Sequence, residues 1–590
     1  MADGKKKIAI VGGGITGLYT AYRALSAEGE TPEIHLFEAD SRVGGRILSE
    51  ELPGIPFRAE LGAMRFPTRH KLLTSLLGEL GIKTHGFDVK RPRLFVRGRH
   101  LSLHEIQAGS CRWCRAGSPF NLRPNERGMQ PAELVRSTIA RFLKELTFPG
   151  LSFEKARDLK EKIDDEEGDY VQEIWPLVRE AGRYNGISLY SIGFWNLLQH
   201  YLSNEAFQLV DIALGLDSVL GNWSVAEAIP WFLSDFGPDD FQMVPGGLER
   251  VTQMLREEIK AKGDIVHTQT KVTTVQLKEG VWSLELAGVE PNVQETLGGP
   301  YDVVILALPR RAAELLTVNA TVGNENQWPP KWLPSVRPHC LYKLFLLYQE
   351  AWWMGEEEVG SSMGRIFTDL PLRQVFYFNP DWMRDRGAPD QGSEWVCKKT
   401  ENWALVMASY SDEHFASFWH SSESKADEDE QAKRYGPVYY RPPANLSDDE
   451  EKKLRAQLDK ISTKRRVRER TVRKIQQQLE EIHGTGVPDP ICGVFRDWGE
   501  DPFGGGWHTW EVGTTPWIFE NRPKITEGLY LCGEAYSDEQ GWIEGALRSA
   551  ESVLGDLGVA KLPWWSGTDK ELKEHLHLPK PKPPEPSEDC

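Results

Sequence analysis

Near its N-terminus the chain reads Ile8-Ala9-Ile10-Val11-Gly12-Gly13-Gly14-Ile15-Thr16-Gly17, and a second apolar run, Ile34-His35-Leu36-Phe37, ends at Glu38. This pattern predicts a strand, a glycine turn, a helix and a second strand, because apolar runs of strand length flank a stretch in which Leu18, Ala21, Tyr22 and Leu25 share one helical face. Gly12 permits a tight turn, Gly14 lets the backbone approach a pyrophosphate, and Gly17 lets the helix pack closely on the sheet. Phosphates would then meet free N–H groups at a helix N-terminus. Glu38 stands 21 residues beyond Gly17, where an acid can accept from a ribose hydroxyl. The whole arrangement predicts dinucleotide binding.

A length of 590 residues predicts two or three domains with a substantial core. With 70 Lys and Arg against 87 Asp and Glu the net charge is −17, which argues against a phosphate backbone as partner, so no nucleic acid is expected. No uninterrupted apolar stretch is long enough to span a bilayer, and no membrane partner is expected. Met1-Ala2-Asp3-Gly4-Lys5-Lys6-Lys7 runs straight into the first strand without an apolar export segment. Together with seven scattered cysteines, this gives the expectation of a cytoplasmic enzyme with reduced thiols. Cys111-Arg112-Trp113-Cys114 lacks the second pair that a zinc site would need, so no metal is expected.

Three segments read as pieces of one nucleotide-binding domain: 5–69, 243–322 and 488–562. The second holds Gln242-Met243-Val244-Pro245-Gly246-Gly247-Leu248 at its start and closes on Asp302-Val303-Val304-Ile305-Leu306-Ala307-Leu308-Pro309, a run with the length and branching of a buried parallel strand. The third holds Leu529-Tyr530-Leu531-Cys532-Gly533-Glu534 and a helix with Ile543, Ala546, Leu547, Ala550 and Leu554 inward. Residues 126–231 read as a helical domain. Residues 70–125, 232–242 and 323–487, richer in strand patterns, read as a substrate-binding domain of mixed α+β type. Ser447-Asp448-Asp449-Glu450 is a capping-box signature. The basic cluster Lys464-Arg465-Arg466-Val467-Arg468 reads as a solvated helix face, since acids stand on both sides. The proline-rich tail, 563–590, is expected to be partly disordered.

Downstream of Glu38 comes Ser41-Arg42-Val43-Gly44-Gly45-Arg46, and the C-terminal segment reads Leu531-Cys532-Gly533-Glu534, then Gln540-Gly541-Trp542-Ile543-Glu544-Gly545-Ala546. With the first fingerprint these resemble the flavin amine oxidase (monoamine oxidase) superfamily, and within it the flavin-dependent L-amino-acid oxidases. The resemblance implies an α/β protein whose Rossmann-like FAD-binding domain is assembled from the three segments above. It implies that Arg42, Gly44, Gly45 and Arg46 face the flavin diphosphate, that Glu534 accepts from a ribityl or ribose hydroxyl or meets the phosphate through water, and that the backbone of Val272 meets the adenine. Further implied cofactor contacts are Ile15, Thr16, Ala39, Met64 and Arg65, and in the C-terminal half Trp507, Gly533, Gly541, Trp542 and Ile543. The helix opening near Trp542 would turn its positive end toward the flavin. Relatives that bond their flavin carry a cysteine after two glycines. This chain has Gly504-Gly505-Gly506-Trp507-His508 there, so FAD is expected to be held non-covalently.

Glu60-Leu61-Gly62-Ala63-Met64-Arg65-Phe66-Pro67 resembles the segment in which L-amino-acid oxidases carry the arginine that grips the substrate carboxylate, a task suited to a planar guanidinium fork. Asp369-Leu370-Pro371-Leu372-Arg373-Gln374-Val375-Phe376-Tyr377 matches the segment whose final tyrosine adds a hydrogen bond to that carboxylate, which assigns the role to Tyr377. Trp542 would form an aromatic wall beside the α-carbon. Lys343 falls where relatives keep a lysine that holds a water near flavin N5. Burial would lower its pKa and suit it to proton movement or oxygen reduction. No histidine stands in Pro230-Trp231-Phe232-Leu233-Ser234-Asp235, so no catalytic histidine carries over.

The implied reaction is oxidation of an L-amino acid by O2, through hydride transfer from Cα to the flavin, to a 2-oxo acid, ammonia and hydrogen peroxide. A monooxygenase giving amide and carbon dioxide, an amine oxidase lacking the carboxylate grip, and a non-catalytic flavin-binding interaction protein remain alternatives. Relatives are commonly dimers, so a homodimer is a further expectation. Trp223 and Trp353 are pocket candidates by composition alone.

Overall fold

The computed structural model describes residues 5–27, 31–87, 92–102, 119–164, 170–235, 241–263, 265–288, 296–322, 325–354, 364–387, 399–420, 436–515, 524–560 and 562. Cys111 and Cys114 and the tail 563–590 lie outside these residues.

The strand Lys7–Val11 sits at the centre of a six-stranded sheet. It pairs in parallel with Glu33–Phe37 on one side and with Val303–Leu306 on the other, in the register Ile8 opposite Val303 and Ile10 opposite Ile305. Val266–His267 extends the sheet beyond Glu33–Phe37, and Leu529–Leu531 extends it beyond Val303–Leu306. Widely separated chain segments thus build one mainly parallel sheet, closed at one edge by the antiparallel strand Lys524–Thr526, and all four residues of Val303–Leu306 are buried, as a strand covered on both faces requires.

Helices cover one face, among them Glu249–Ala261. Ile15–Ser26 follows the glycine turn, and Ile543–Asp556 lies against it, buried through Ile543, Ala546, Leu547, Ala550 and Leu554. Tyr19 and Arg23 both donate to Glu551, which pins the two helices together across most of the sequence. The helix Lys71–Glu79 joins the same core through Leu72, Leu73, Leu76 and Leu77.

A seven-stranded, mainly antiparallel sheet forms the second layer. Its middle strands are Leu341–Tyr348, Ala404–Asp412, Gln374–Phe378 and Gly364–Thr368. Cys492–Asp497, which falls inside the third expected nucleotide-binding segment, forms the edge of this second sheet. Between Pro131 and Asp235 the described residues are mainly helical, with one short strand pair, Arg183–Tyr184 and Ile187–Ser188, and with Phe142, Leu143 and Leu146 in the core. Asp448–Leu458 starts at a capping box in which Ser447 and Glu450 answer each other. The basic cluster after it is not the solvated helix face expected: it spans a short 3-10 turn and an extended connection with Val467 and Arg468 buried, while Arg465 meets Glu50 at 2.7 Å and Arg466 meets Asp459 at 3.1 Å. Among the described residues no helix is long and apolar enough to cross a membrane.

Candidate active site

One cavity of about 640 Å³ runs from the first glycine loop to the second sheet, and it gathers residues from both ends and the middle of the chain. At one end lie Gly12, Gly14, Ile15, Thr16, Glu38 and Ala39, with Arg42, Gly44, Gly45 and Arg46 beside them. Val272 lines the same end, just before the irregularity that separates it from Thr274 in Thr270–Lys278. At the other end lie Met64, Arg65, Lys343, Trp507, Gly533, Glu534, Gly541, Trp542 and Ile543.

The glycines fit a bound dinucleotide. Gly12 has φ +108°, and a Cβ there would stand 2.5 Å from the carbonyl of Ala307. A Cβ on Gly17 would stand 2.0 Å from the carbonyl of Gly12, so no larger residue lets this helix close on its strand. Gly14 lines the cavity with nothing within 4 Å of a Cβ, which leaves its backbone open to a phosphate. The Gly44-Gly45 turn docks on this loop, the Gly44 N–H donating to Gly13 at 2.8 Å. Gly17→Ala is therefore expected to strain the βαβ unit by about 1–3 kcal/mol and to purify with most of its flavin lost, as the visible absorption spectrum would record.

The charged groups around the cradle are partly committed to one another. Glu38 accepts from the N–H groups of Gly13 and Asp40, at 2.7 and 2.8 Å, so it shapes the loop as well as lining the cavity. Arg42 donates to the carbonyls of Gly45 and Ile47 and lies 3.6 Å from Glu249. It buttresses the turn expected to meet the diphosphate. Glu534 accepts from the N–H groups of His508 and Gly541 and meets His508 Nδ1 and Arg46, at 2.8–3.0 Å. Burial pushes its carboxyl up, but Arg46 and His508 outweigh burial and hold it at about 2. Glu534 lines the cavity with both oxygens already engaged by groups of the protein. Glu534 organises Arg46, His508 and Gly541 around the cavity.

Arg65 lines the far end, its guanidinium carbon 3.9 Å from the centroid of Phe241 and 5.5 Å from that of Phe87. Trp542 stands beside it, stacked on Phe241 and edge-on to His70, at the N-cap of Ile543–Asp556. The N-terminus of that helix opens on the cavity through Trp542, Ile543 and Ala546.

Lys343 is 1% exposed on Leu341–Tyr348 and donates to the carbonyls of Gly62 at 2.7 Å and Glu60 at 3.3 Å. Burial lowers its pKa to about 7, with Glu60 opposing and Arg65 reinforcing the shift. In its neutral form the amine has two N–H bonds, which the two carbonyls account for. Its lone pair remains for a water or a proton.

Tyr377 does not reach the cavity. Side chains alternate along a strand, so Gln374, which lines the cavity, and Tyr377 three residues later face opposite sides. Tyr377 is fully buried behind the sheet, its hydroxyl 2.7 Å from His483 Nε2 and its ring against Trp353. Tyr377→Phe is expected to leave kcat/KM within about threefold and to lower unfolding stability by about 1 kcal/mol, the net worth of one buried hydrogen bond. Trp353 shares that buried cluster, and Trp223 packs edge-on against Trp507 and Trp231 from outside the cavity.

Among the cavity residues that the sequence did not single out are Arg365, Gln374, Tyr410, Phe241 and Trp231. Tyr410 lies opposite Lys343 on the neighbouring strand, with the Lys343 amine 4.6 Å from its ring centroid. Trp231 stacks on Trp507 at 5.7 Å.

A two-layer molecule with a dinucleotide cradle opening onto a second, antiparallel sheet is the architecture of a flavin-dependent oxidoreductase. A family model described as flavin containing amine oxidoreductase matches residues 15–426 and 452–553, and the chain belongs to that family. Its cofactor is FAD, which the dinucleotide cradle fits.

Aplysianin-A of Aplysia kurodai is 26% identical, over 94% of this chain and 90% of its own length. Achacin of Lissachatina fulica is 26% identical, over 93% and 92%. An L-amino-acid oxidase of Crotalus adamanteus is 24% identical over 63% of each chain. Among solved structures, a cofactor-binding double mutant of putrescine oxidase aligns over 94% of this chain and all of its own, with a TM-score of 0.57 at 16% identity. At that identity the likeness speaks to the fold alone.

Proposed function

We propose that the chain is an FAD-dependent L-amino-acid oxidase that oxidises an L-amino acid with O2 to an imino acid and hydrogen peroxide, the imino acid then taking up water to give a 2-oxo acid and ammonia. The observation that carries this reading is a guanidinium, Arg65, in the same cavity as the flavin cradle. The relatives named L-amino-acid oxidase support it. When bound, FAD supplies the acceptor for the Cα hydrogen and passes the electrons to O2.

The protein's own part is to bind and orient. Gly12, Gly14, Gly44, Gly45 and Arg46 would hold the cofactor. Arg65 fixes the α-carboxylate in two hydrogen bonds, and Trp542 limits how the α-carbon can turn. Neutral Lys343 holds a water or takes a proton at its Nζ. We further propose that 5–69, 243–322 and 488–562 supply most of the FAD-binding domain. The support is the parallel sheet, whose strands come from all three segments.

Mixing the flavin-loaded protein with single L-amino acids under anaerobic conditions tests the proposal. Bleaching, followed on admission of air by stoichiometric peroxide and 2-oxo acid, is the expected result. Amide and carbon dioxide in place of peroxide would indicate a monooxygenase, turnover of simple amines alone would indicate an amine oxidase, and no bleaching with either would leave a binding protein.

A further inference from the structure

A second guanidinium lines the substrate end of the cavity, and among the described residues it has no acidic partner. Arg365 stands on Gly364–Thr368, with its guanidinium carbon 4.1 Å from the ring centroid of Phe367 and 4.7 Å from that of Phe376. Its polar contact is with the Oε1 of Gln374, to which it donates, while its Nε is buried with no hydrogen-bond partner. Gln374 is itself anchored, its Nε2 donating to the carbonyl of Gly215 at 2.7 Å. Among the described residues no carboxylate lies within ion-pairing distance of Arg365.

The acids that line the cavity are Glu38, Asp40 and Glu534. Each is already engaged near the cofactor cradle: Glu38 by Gly13, Asp40 by Ser41, and Glu534 by Arg46 and His508. Elsewhere in the chain buried guanidinium groups do meet acids, as Arg373 meets Asp217 at 2.8 Å and Arg23 meets Glu551 at 2.8 Å. Arg365 is half-buried, and a cation partly shielded from water without a counter-ion is disfavoured, a cost relieved when an anion arrives. Burial, and then the charge of Arg65, push Arg365 well below the usual arginine range, as a site short of negative charge would.

An ordinary L-amino acid brings one carboxylate to this pair of guanidinium groups. Each group rests on its own aromatic platform, Arg65 on Phe241 and Phe87, Arg365 on Phe367 and Phe376. The platforms adjoin, the rings of Phe87 and Phe376 having centroids 6.3 Å apart, so the two guanidinium groups share one region of the cavity. We propose that Arg365 determines specificity by binding a side-chain carboxylate, and that the preferred substrates are dicarboxylic L-amino acids. This rests on the L-amino-acid oxidase reading, with the α-carboxylate on Arg65.

The test is peroxide release by the flavin-loaded full chain with L-glutamate, L-aspartate, their amides, L-leucine and L-lysine. A dicarboxylate should exceed its own amide in kcat/KM by at least about tenfold, since a site built for a polar group rejects the analogue that cannot pair with it. Arg365→Gln and Arg365→Met should lower kcat/KM for the dicarboxylates by at least roughly 30-fold, the effect of truncating one partner of a buried charged pair, and leave the amides little changed. A titration of the wild-type protein with glutarate against butyrate, read from the flavin absorption band, needs neither turnover nor a folded variant. Glutarate should bind at least about tenfold more tightly.

Equal losses on every substrate in the Arg365 variants would overturn the proposal, because Arg365 would then share the α-carboxylate. Preference of the wild type for the amides, leucine or lysine would overturn it as well, as would equal binding of glutarate and butyrate. If no L-amino acid releases peroxide while simple amines do, the oxidase reading fails and the substrate proposal with it. That failure is told apart from the others because they all require turnover of some L-amino acid or a bound acid.

Discussion

Arg65→Met is expected to lower kcat/KM for L-amino acids by roughly 30- to 5,000-fold, the range that corresponds to about 2–5 kcal/mol for one partner of a buried, hydrogen-bonded charge pair. The guanidinium sits at the end of the cavity away from the glycine cradle, on the face of Phe241, so its loss should leave the cofactor in place. The flavin spectrum of the variant is accordingly expected to match that of the parent. Turnover of a simple amine, if measurable in the parent, should change little, because an amine makes no use of a carboxylate grip. A variant that loses amine and amino-acid turnover in equal measure would show that Arg65 acts on the cofactor or the fold.

Lys343→Met is expected to lower turnover by roughly 10²- to 10⁴-fold, the usual contribution of a positioned acid–base group. The substitution keeps length and removes an amine whose charge is disfavoured by burial, so the variant should remain folded. The pH profile carries the sharper signature. An amine lowered to about 7 is charged below that pH and neutral above it, and the neutral form holds the water or takes the proton, so kcat/KM should rise with pH through about 7. Glu60, raised by burial to about 7 and held down in part by Ser49, Leu248 and Lys343, titrates in the same range. The limb therefore belongs to the pair. Lys343→Met should abolish it, whereas Glu60→Gln should move it. An unchanged limb in Lys343→Met would assign it to the substrate or another group.

The nucleotide-binding half was legible because its rules are local. A tight turn, a close phosphate approach and a helix pressed onto a strand each demand glycine at a fixed spacing, and Gly12, Gly14 and Gly17 satisfy them within one βαβ unit. The parallel strand at Val303–Leu306 was legible for a similar reason, since four consecutive buried apolar residues are what a strand covered on both faces needs. The substrate half has no such local grammar. Apart from Arg65 and Trp542, its residues come largely from the second sheet and the helical stretch, and which side of a strand a residue faces depends on a register that the sequence around it does not fix.

Tyr377 shows how far a one-residue change of face matters. The segment that carries it does reach the cavity, but through Gln374, while the tyrosine points into the core with Trp353 and His483. The cavity tyrosine is Tyr410, brought opposite Lys343 by the pairing of two strands far apart in sequence. Arg365 was hidden in the same way. It follows Gly364 in a short strand with no motif around it, and its significance lies in the lack of an acid beside it among the described residues. Glu534 was located from its motif, but its partners were not, because His508 and Arg46 converge on it only in the folded chain.

The central claim is that Arg65 holds an α-carboxylate with the neighbouring carbon facing a flavin. A crystal structure of the FAD-loaded protein with a bound L-amino acid, trapped without oxygen, measures this directly. The carboxylate should lie on the Arg65 guanidinium in two hydrogen bonds, with Lys343 and Trp542 around the α-carbon. An Arg65 side chain turned away from the ligand, with the carboxylate held by other residues, would contradict it.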